Sequence, residues 1–319
     1  TTGYIKLSKF SRNTFQEFTE ASDKLRSLGM KRLLFDLRDN TGGYLDQALL
    51  LSNEFLSKGD LVVYMEGLHR ERQDFKADGR GYLKDVQISV LIDEVSASSS
   101  EIFAGAIQDN DRGVIVGRRS FGKGLVQEPI NFTDGSGIRL TVARFHTPSG
   151  RCIQKPYGDD YDYDIYERYF SGEMVSADSM KVDTTAVYYT VKGRPVYGGG
   201  GIIPDVFVPI DTTKATDFHI KCNKKATTMR FASAMFDKYK GELSAIDDFG
   251  RLKSYLDEVD LESQFLDGAG SRGRRGRLLE LQFELTLGVL VGLVPLLVEL
   301  VHGHLVPGRQ DVPGTLRVT

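Results

Sequence analysis

Short apolar runs that alternate with helix-spaced segments constrain this chain more than any other feature. Residues 32–38, Arg32-Leu33-Leu34-Phe35-Asp36-Leu37-Arg38, read as a buried strand; Asn40-Thr41-Gly42-Gly43 breaks it, and helical spacing follows over residues 45–56. The pattern then recurs. A strand at 86–92 leads through Asp93-Glu94-Val95 to a helix over 101–108, and 113–116 is strand again. Upstream, Tyr4-Ile5-Lys6-Leu7 alternates as a strand, and residues 11–28 place Phe15, Phe18, Ala21, Leu25 and Leu28 at helical spacing before Gly29 closes the helix. A further strand is expected at 60–64, followed by a polar stretch to Lys84. Strands alternating with helices predict an α/β fold with a parallel-rich sheet.

After Gly124 the alternation stops. Residues 125–129 and 137–145 read as the strands of a hairpin around Thr133-Asp134-Gly135-Ser136, the start of a smaller β-rich part. From about 155 to 186 the chain is polar and tyrosine-rich, with Asp159, Asp160, Asp162, Asp164 and Glu167 close together, and reads as an excursion. Strands are expected to resume at 187–191 and 202–208, and helices at 217–240 and 249–265. The division is therefore a core over 1–267 and a C-terminal segment over 268–319 of different composition. No lysine follows Lys253 and no tyrosine follows Tyr255. That segment carries an apolar run at 285–298, too short for the roughly 20 residues that span a bilayer, and has two readings: a C-terminal helix packing on the domain, or an end foreign to it.

Composition excludes several function classes. In 319 residues, 41 basic side chains face 44 acidic ones, so a formal charge of −3 supplies no overall field toward nucleic acid or an anionic membrane. Two cysteines, Cys152 and Cys222, are too few for a disulfide framework and lack the spacing of a zinc site. The five histidines are scattered, and His302-Gly303-His304 has no further ligands beside it. Asp160-Tyr161-Asp162-Tyr163-Asp164 lacks the glycine and terminal glutamate of a calcium loop. The sequence thus contains no metal site and calls for no organic cofactor.

Candidate chemistry concentrates between Ser96 and Gln127. Ser98 stands where a strand gives way to a helix, and Ser98-Ser99-Ser100-Glu101 has the spacing of a capping box, in which the hydroxyl caps the helix and Glu101 returns the bond. The same position suits a nucleophile, because free N–H groups at a helix N-terminus stabilise an oxyanion. A nucleophile needs a base. Lys123 in Phe121-Gly122-Lys123-Gly124-Leu125 qualifies if Phe121 and Leu125 exclude water, since desolvation disfavours the ammonium. Gln127, on the same face of an extended segment, can hold the amine. Gly117-Arg118-Arg119-Ser120-Phe121-Gly122-Lys123 also fits a phosphate loop, but Gly124 stands where that loop has Ser or Thr, and Pro129 disfavours the helix it requires.

These residues resemble a family. Asp36-Leu37-Arg38-Asp39-Asn40-Thr41-Gly42-Gly43, Ser96-Ala97-Ser98-Ser99-Ser100-Glu101-Ile102, residues 117–127, Thr147-Pro148-Ser149-Gly150-Arg151 and Gly201-Ile202-Ile203-Pro204-Asp205 are similar, in order, to motifs of the carboxyl-terminal processing, or tail-specific, serine peptidases. The resemblance implies a crotonase/ClpP-like core and a serine endopeptidase that cleaves proteins near apolar C-termini through an acyl-enzyme. Ser98 would be the nucleophile, Lys123 the base and Gln127 its orienting partner. Oxyanion donors would be the N–H of Ser99 and of Gly43 or Gly42, with Arg38 and Asn40 bracing the turn. Asp109 falls where some relatives carry an aspartate important for activity; its other reading is an ion-pair partner. The resemblance also implies a PDZ domain upstream of this core. A bacterial periplasmic or envelope location is implied, with protein or peptide substrates, no nucleic acid and no assigned oligomer. The reading from another class is a non-catalytic peptide-binding scaffold in which Ser98 only caps its helix.

Overall fold

The computed structural model describes residues 1–158, 161, 163–212, 221, 222, 225, 227–246, 248–268 and 316–318. The apolar run at 285–298, the His302 and His304 pair, the start of the helix expected at 217–240, and Asp159, Asp160 and Asp162 lie outside the described residues. Two compact units are present, one of Thr1–Ile210 with Asp311–Thr319 and one of Asp211–Gln310. The division thus falls inside the span 1–267 expected as one core.

In the first unit, β1 (Thr2–Leu7), β2 (Arg32–Asp36), β5 (Gln87–Ile92), β6 (Gly113–Gly117), β11 (Val206–Phe207) and β12 (Leu316–Val318) form a sheet of order β11-β6-β5-β2-β1-β12. All neighbouring pairs are parallel except β1 with β12. Helices α1 (Thr14–Ser27) and α3 (Ser99–Asp109) make the crossovers from β1 to β2 and from β5 to β6, and α2 (Leu45–Asn53) follows β2. This is the expected α/β arrangement. A second sheet, of order β4-β3-β8-β7, is antiparallel and joins β3 (Leu61–Gly67), β4 (Arg70–Lys76), β7 (Leu125–Asn131) and β8 (Gly137–His146). It contains the predicted hairpin.

Three departures have local causes. Strand β4 lies in the stretch read as merely polar, because its side chains are almost all exposed; backbone pairing with β3 holds it, with Phe75 the one side chain packed against the core. The excursion contains a helix, α4 (Asp164–Phe170), and a turn of 3-10 helix at Ala177–Ser179. The strands expected at 187–191 and 202–208 shrink to β9 (Val187–Tyr189), paired with β10 (Pro195–Tyr197), and to β11. Pro204 cannot donate to a ladder, which limits the second of these.

Four rings knit the sheet to its helices. Phe18 of α1, Phe35 of β2, Phe55 and Phe103 of α3 form a closed cycle of edge-to-face contacts, with centroids 5.6 Å (Phe18–Phe35), 5.1 Å (Phe35–Phe103), 5.9 Å (Phe103–Phe55) and 6.1 Å (Phe55–Phe18) apart. All four are buried. Helix α3 is buried along its whole length, so its polar side chains must find partners inside the protein. In the second unit α5 (Thr227–Lys238), α6 (Lys240–Leu243), α7 (Phe249–Glu258) and α8 (Leu261–Gly268) have a separate small core of Ala232, Leu252, Leu256 and Leu261. Among the described residues no helix is long and apolar enough to cross a membrane.

Replacing the central ring, Phe35→Ala, should lower unfolding stability by about 3–5 kcal/mol in urea denaturation. A loss below about 1 kcal/mol would show that the ring cycle does not hold the sheet to α1 and α3.

Candidate active site

The three candidate segments follow the carboxyl ends of adjacent parallel strands β2, β5 and β6, the edge on which open α/β sheets carry their ligands. The middle one is bonded on both sides. The Ala97 N–H donates to the Asn40 carbonyl at 3.0 Å, and the Phe121 N–H donates to the Ser96 carbonyl at 3.0 Å.

Ser98 is the N-cap of α3, at φ 57° and ψ −113°. A non-glycine residue in this region is strained and persists only where its surroundings over-determine it. Gly42 supplies part of that surround: a Cβ on it would lie 2.6 Å from the Ala97 carbonyl oxygen and 2.8 Å from Ser98 Cβ, so only glycine lets the two backbones meet. The Gly42 N–H donates to Asn40 Oδ1 at 2.8 Å, while Asn40 Nδ2 donates to the Leu7 carbonyl at 2.8 Å, so Asn40 braces the turn as expected. The Ser99 hydroxyl donates to the Gly43 carbonyl at 3.0 Å. Among the described residues the N–H groups of Ser99 and Gly43 have no hydrogen-bond partner.

Glu101 is fully buried and organises the site. Its Oε2 accepts the N–H of Ser98 and of Lys123, each at 2.8 Å, and its Oε1 accepts the Gly122 N–H at 2.7 Å and the Ser120 hydroxyl at 2.5 Å. One oxygen therefore holds the Ser98 and Lys123 amides no more than twice that bond length apart. Burial pushes the Glu101 carboxyl up from its ordinary range, against the pull of the Ser120 hydroxyl and the three amides. The return half of the capping box has thus a second task that spacing alone did not reveal. The same arrangement removes the phosphate-loop reading: the amides of Gly122 and Lys123 already face an internal carboxylate, and strand β7 follows where a helix is required.

Lys123 itself corrects an expectation. The residue is exposed, and its amine makes no hydrogen bond to Ser98 or to any other described residue. Phe121 does not shelter it, because that ring lies 4.2 Å from the ammonium of Lys155, a buried lysine held also over the Tyr161 ring at 4.2 Å. Gln127 is exposed as well and does not contact Lys123. Strand β7 begins only at Leu125, and a register shift between Val126 and Gln127 breaks the two-residue period on which their shared face depended.

Asp109 lies at the far end of α3, eleven positions and about 16 Å of helical rise from Ser98. Its Oδ1 accepts Arg151 Nη2 at 2.7 Å, both side chains being wholly buried, and its Oδ2 accepts the Ser149 N–H at 3.1 Å. It is the ion-pair partner of the alternative reading, and it locks α3 to the Thr147-Pro148-Ser149-Gly150-Arg151 turn. Arg38 forms a two-pronged pair with Asp36, Nε to Oδ1 at 2.9 Å and Nη2 to Oδ2 at 2.7 Å, and the Tyr4 hydroxyl donates to Oδ2 at 2.7 Å. Burial alone would raise the Asp36 carboxyl, but the bonds from Arg38 and Tyr4 outweigh it and hold the group below its ordinary range.

The depressed Asp36 carboxyl stabilises the folded state above its unfolded pKa of about 4 and loses that contribution as pH falls through the folded value. Asp36→Asn should therefore lose stability near neutrality and show a flatter acid limb in denaturation measured from pH 2 to 7; parallel curves would refute the linkage. Glu101→Ala leaves the buried Gly122 amide and the part-buried amides of Ser98 and Lys123 unpaired, at up to about 1–3 kcal/mol each, and should lower Tm and slow labelling of Ser98 by a serine-reactive phosphonate. Wild-type Tm and labelling in that variant would count against the organising role.

The chain matches the profile of peptidase family S41 over residues 1–165. It is 37% identical over 153 residues to a probable CtpA-like serine protease of Staphylococcus epidermidis, covering 47% of this chain and 31% of the relative. It is likewise 37% identical over 153 residues to the chloroplastic C-terminal processing peptidase of Tetradesmus obliquus, covering 48% and 33%. The chain spans about a third of the length of these curated relatives. Among solved structures it is similar to the photosystem II D1 C-terminal processing protease, with TM-score 0.48 and 28% identity over 65% of this chain and 42% of the other. The matched region, just over half of the chain, takes in Ser98, Glu101, Lys123 and the Gly42-Gly43 turn, and by that match the chain belongs to peptidase family S41.

Proposed function

We propose that this chain is the catalytic part of a serine endopeptidase that acts through Ser98 and Lys123. The observation that carries the reading is the Glu101 carboxylate, which draws the backbones of both residues to one oxygen atom beside a strained helix N-cap. The lysine stem of four carbons reaches far enough to turn the amine from solvent toward the Ser98 hydroxyl. There the neutral amine takes the hydroxyl proton as Ser98 Oγ attacks the substrate carbonyl. The tetrahedral oxyanion is met by the N–H of Ser99 and Gly43; Gly42, whose N–H is engaged by Asn40, is the weaker candidate. Collapse returns the proton to the leaving amine, and the same lysine then activates water to hydrolyse the acyl-enzyme. Gln127 orients the amine once it has turned to the Ser98 hydroxyl.

Family membership supports a crotonase/ClpP-like description of the core, substrates with apolar C-terminal tails, and a bacterial periplasmic or envelope location. No cofactor enters this mechanism.

The test is cleavage of a peptide with an apolar C-terminal tail by Ser98→Ala and Lys123→Ala. Each should fall below about a thousandth of wild-type turnover with an unchanged circular-dichroism spectrum, and unchanged turnover in either rejects the dyad. The exposed Lys123 amine favours the second reading, a peptide-binding scaffold. It requires equal peptide affinity and no turnover in wild type and both variants.

A further inference from the structure

The polar excursion is bolted to the loop that carries Lys123. Arg168 of α4 is almost wholly buried and reaches across to two consecutive carbonyls, with Nη2 donating to Arg119 O at 2.6 Å and Nη1 to Ser120 O at 3.1 Å. Glu173 is equally buried. Its Oε1 accepts Arg168 Nε at 2.9 Å and Arg119 Nε at 2.7 Å, and its Oε2 accepts Arg119 Nη2 at 2.6 Å. A tight turn through Gly172 (φ 87°) brings Glu173 back to α4, where its N–H donates to the Arg168 carbonyl at 3.1 Å. Two guanidiniums thus share one buried carboxylate, an arrangement whose desolvation is costly and which Ala or Leu side chains would avoid.

What this cluster grips explains the cost. The Ser120–Phe121 peptide plane is held on both edges, its carbonyl by Arg168 and its N–H by the Ser96 carbonyl at 3.0 Å. Ser120 in turn gives its hydroxyl to Glu101 and accepts the Ile202 N–H at 2.6 Å. From the same excursion the Lys155 N–H donates to the Gly122 carbonyl at 2.9 Å. The loop has glycine at 122 and 124 and no regular structure of its own, so these bonds decide its path.

We propose that Arg168 and Glu173 are positioning residues for the Ser98 site: by fixing the peptide planes of Arg119 and Ser120 they set, through Ser120 and Glu101, where the Lys123 backbone stands. The inference rests on the reading of Lys123 as base. Misplacing that residue by a fraction of its reach slows proton transfer while leaving substrate binding nearly intact.

The experiment measures Arg168→Lys and Glu173→Gln in the full chain, with kcat taken per active site titrated by a serine-reactive phosphonate. Each variant should lose about tenfold in kcat with KM within about twofold. A merely structural role would reduce the titrated fraction and Tm but leave kcat per titrated site unchanged, which overturns the proposal. Hydrogen exchange of wild-type protein covers the case of a variant that does not fold: amides of residues 120–124 should be protected, and exchange as fast as that of an exposed loop overturns the clamp. Lys123→Ala run alongside separates the two claims. If it retains turnover, the dyad reading fails; if it is inactive while both clamp variants keep wild-type kcat, only the positioning role fails.

Discussion

A single buried carboxylate accepts four donors, and the rest of the site is arranged around it. Glu101 takes the amides of Ser98, Gly122 and Lys123 and the hydroxyl of Ser120 at distances of 2.5–2.8 Å. Charge-assisted bonds of this kind are about twice as strong as neutral ones. They offset part of the desolvation of an acid with no exposed surface, and in return they fix three peptide groups that no helix or sheet ladder would hold. The strained backbone of Ser98 is one of them. Its N–H is anchored to Glu101 while Gly42 closes against its other side, so the unfavourable φ and ψ are imposed from two directions.

The sheet explains why these pieces meet. Parallel pairing of β2, β5 and β6 aligns three carboxyl ends on one edge, so that segments 56 and 25 residues apart in sequence become neighbours there. The carbonyls of Asn40 and Ser96 then cross-link the segments through backbone bonds, and Ser120 does so through its hydroxyl to Glu101. The outer layer is polar as well. Asp109 with Arg151, and Glu173 with Arg119 and Arg168, pin later parts of the chain to α3 and to the Lys123 loop respectively. Helix α3, buried along its length, is therefore tied at both ends by carboxylates of its own, Glu101 and Asp109.

Local pattern made much of this legible in advance. Alternation and short apolar runs located β1, β2, β5 and β6, because each buries apolar residues against the helices, while the Thr133-Asp134-Gly135-Ser136 turn marked the largely exposed β7–β8 hairpin. Strand β4 and helix α4 escaped, since neither presents a regular apolar face; their order comes from pairing with β3 and from Arg168. Ser98 was visible as a helix start. Glu101 was visible only as half of a cap, because two of its four donors lie more than twenty residues downstream. The supposed shelter of Lys123 failed for a similar reason: flanking residues describe what can pack nearby, and here Phe121 turned to Lys155 instead.

By itself the sequence determined the class of fold, the order of most of its strands and helices, and the residue types capable of chemistry, since these depend on spacing within some ten residues and on side-chain identity. Only the tertiary structure decided which of them share an atom. That Gly42 rather than Gly43 is occupied by Asn40, that Asp109 serves Arg151, and that the tyrosine-rich excursion grips the loop before Lys123 all follow from contacts between distant segments. Such contacts exist only once apolar burial has closed the sheet and removed water from the groups that must then satisfy one another.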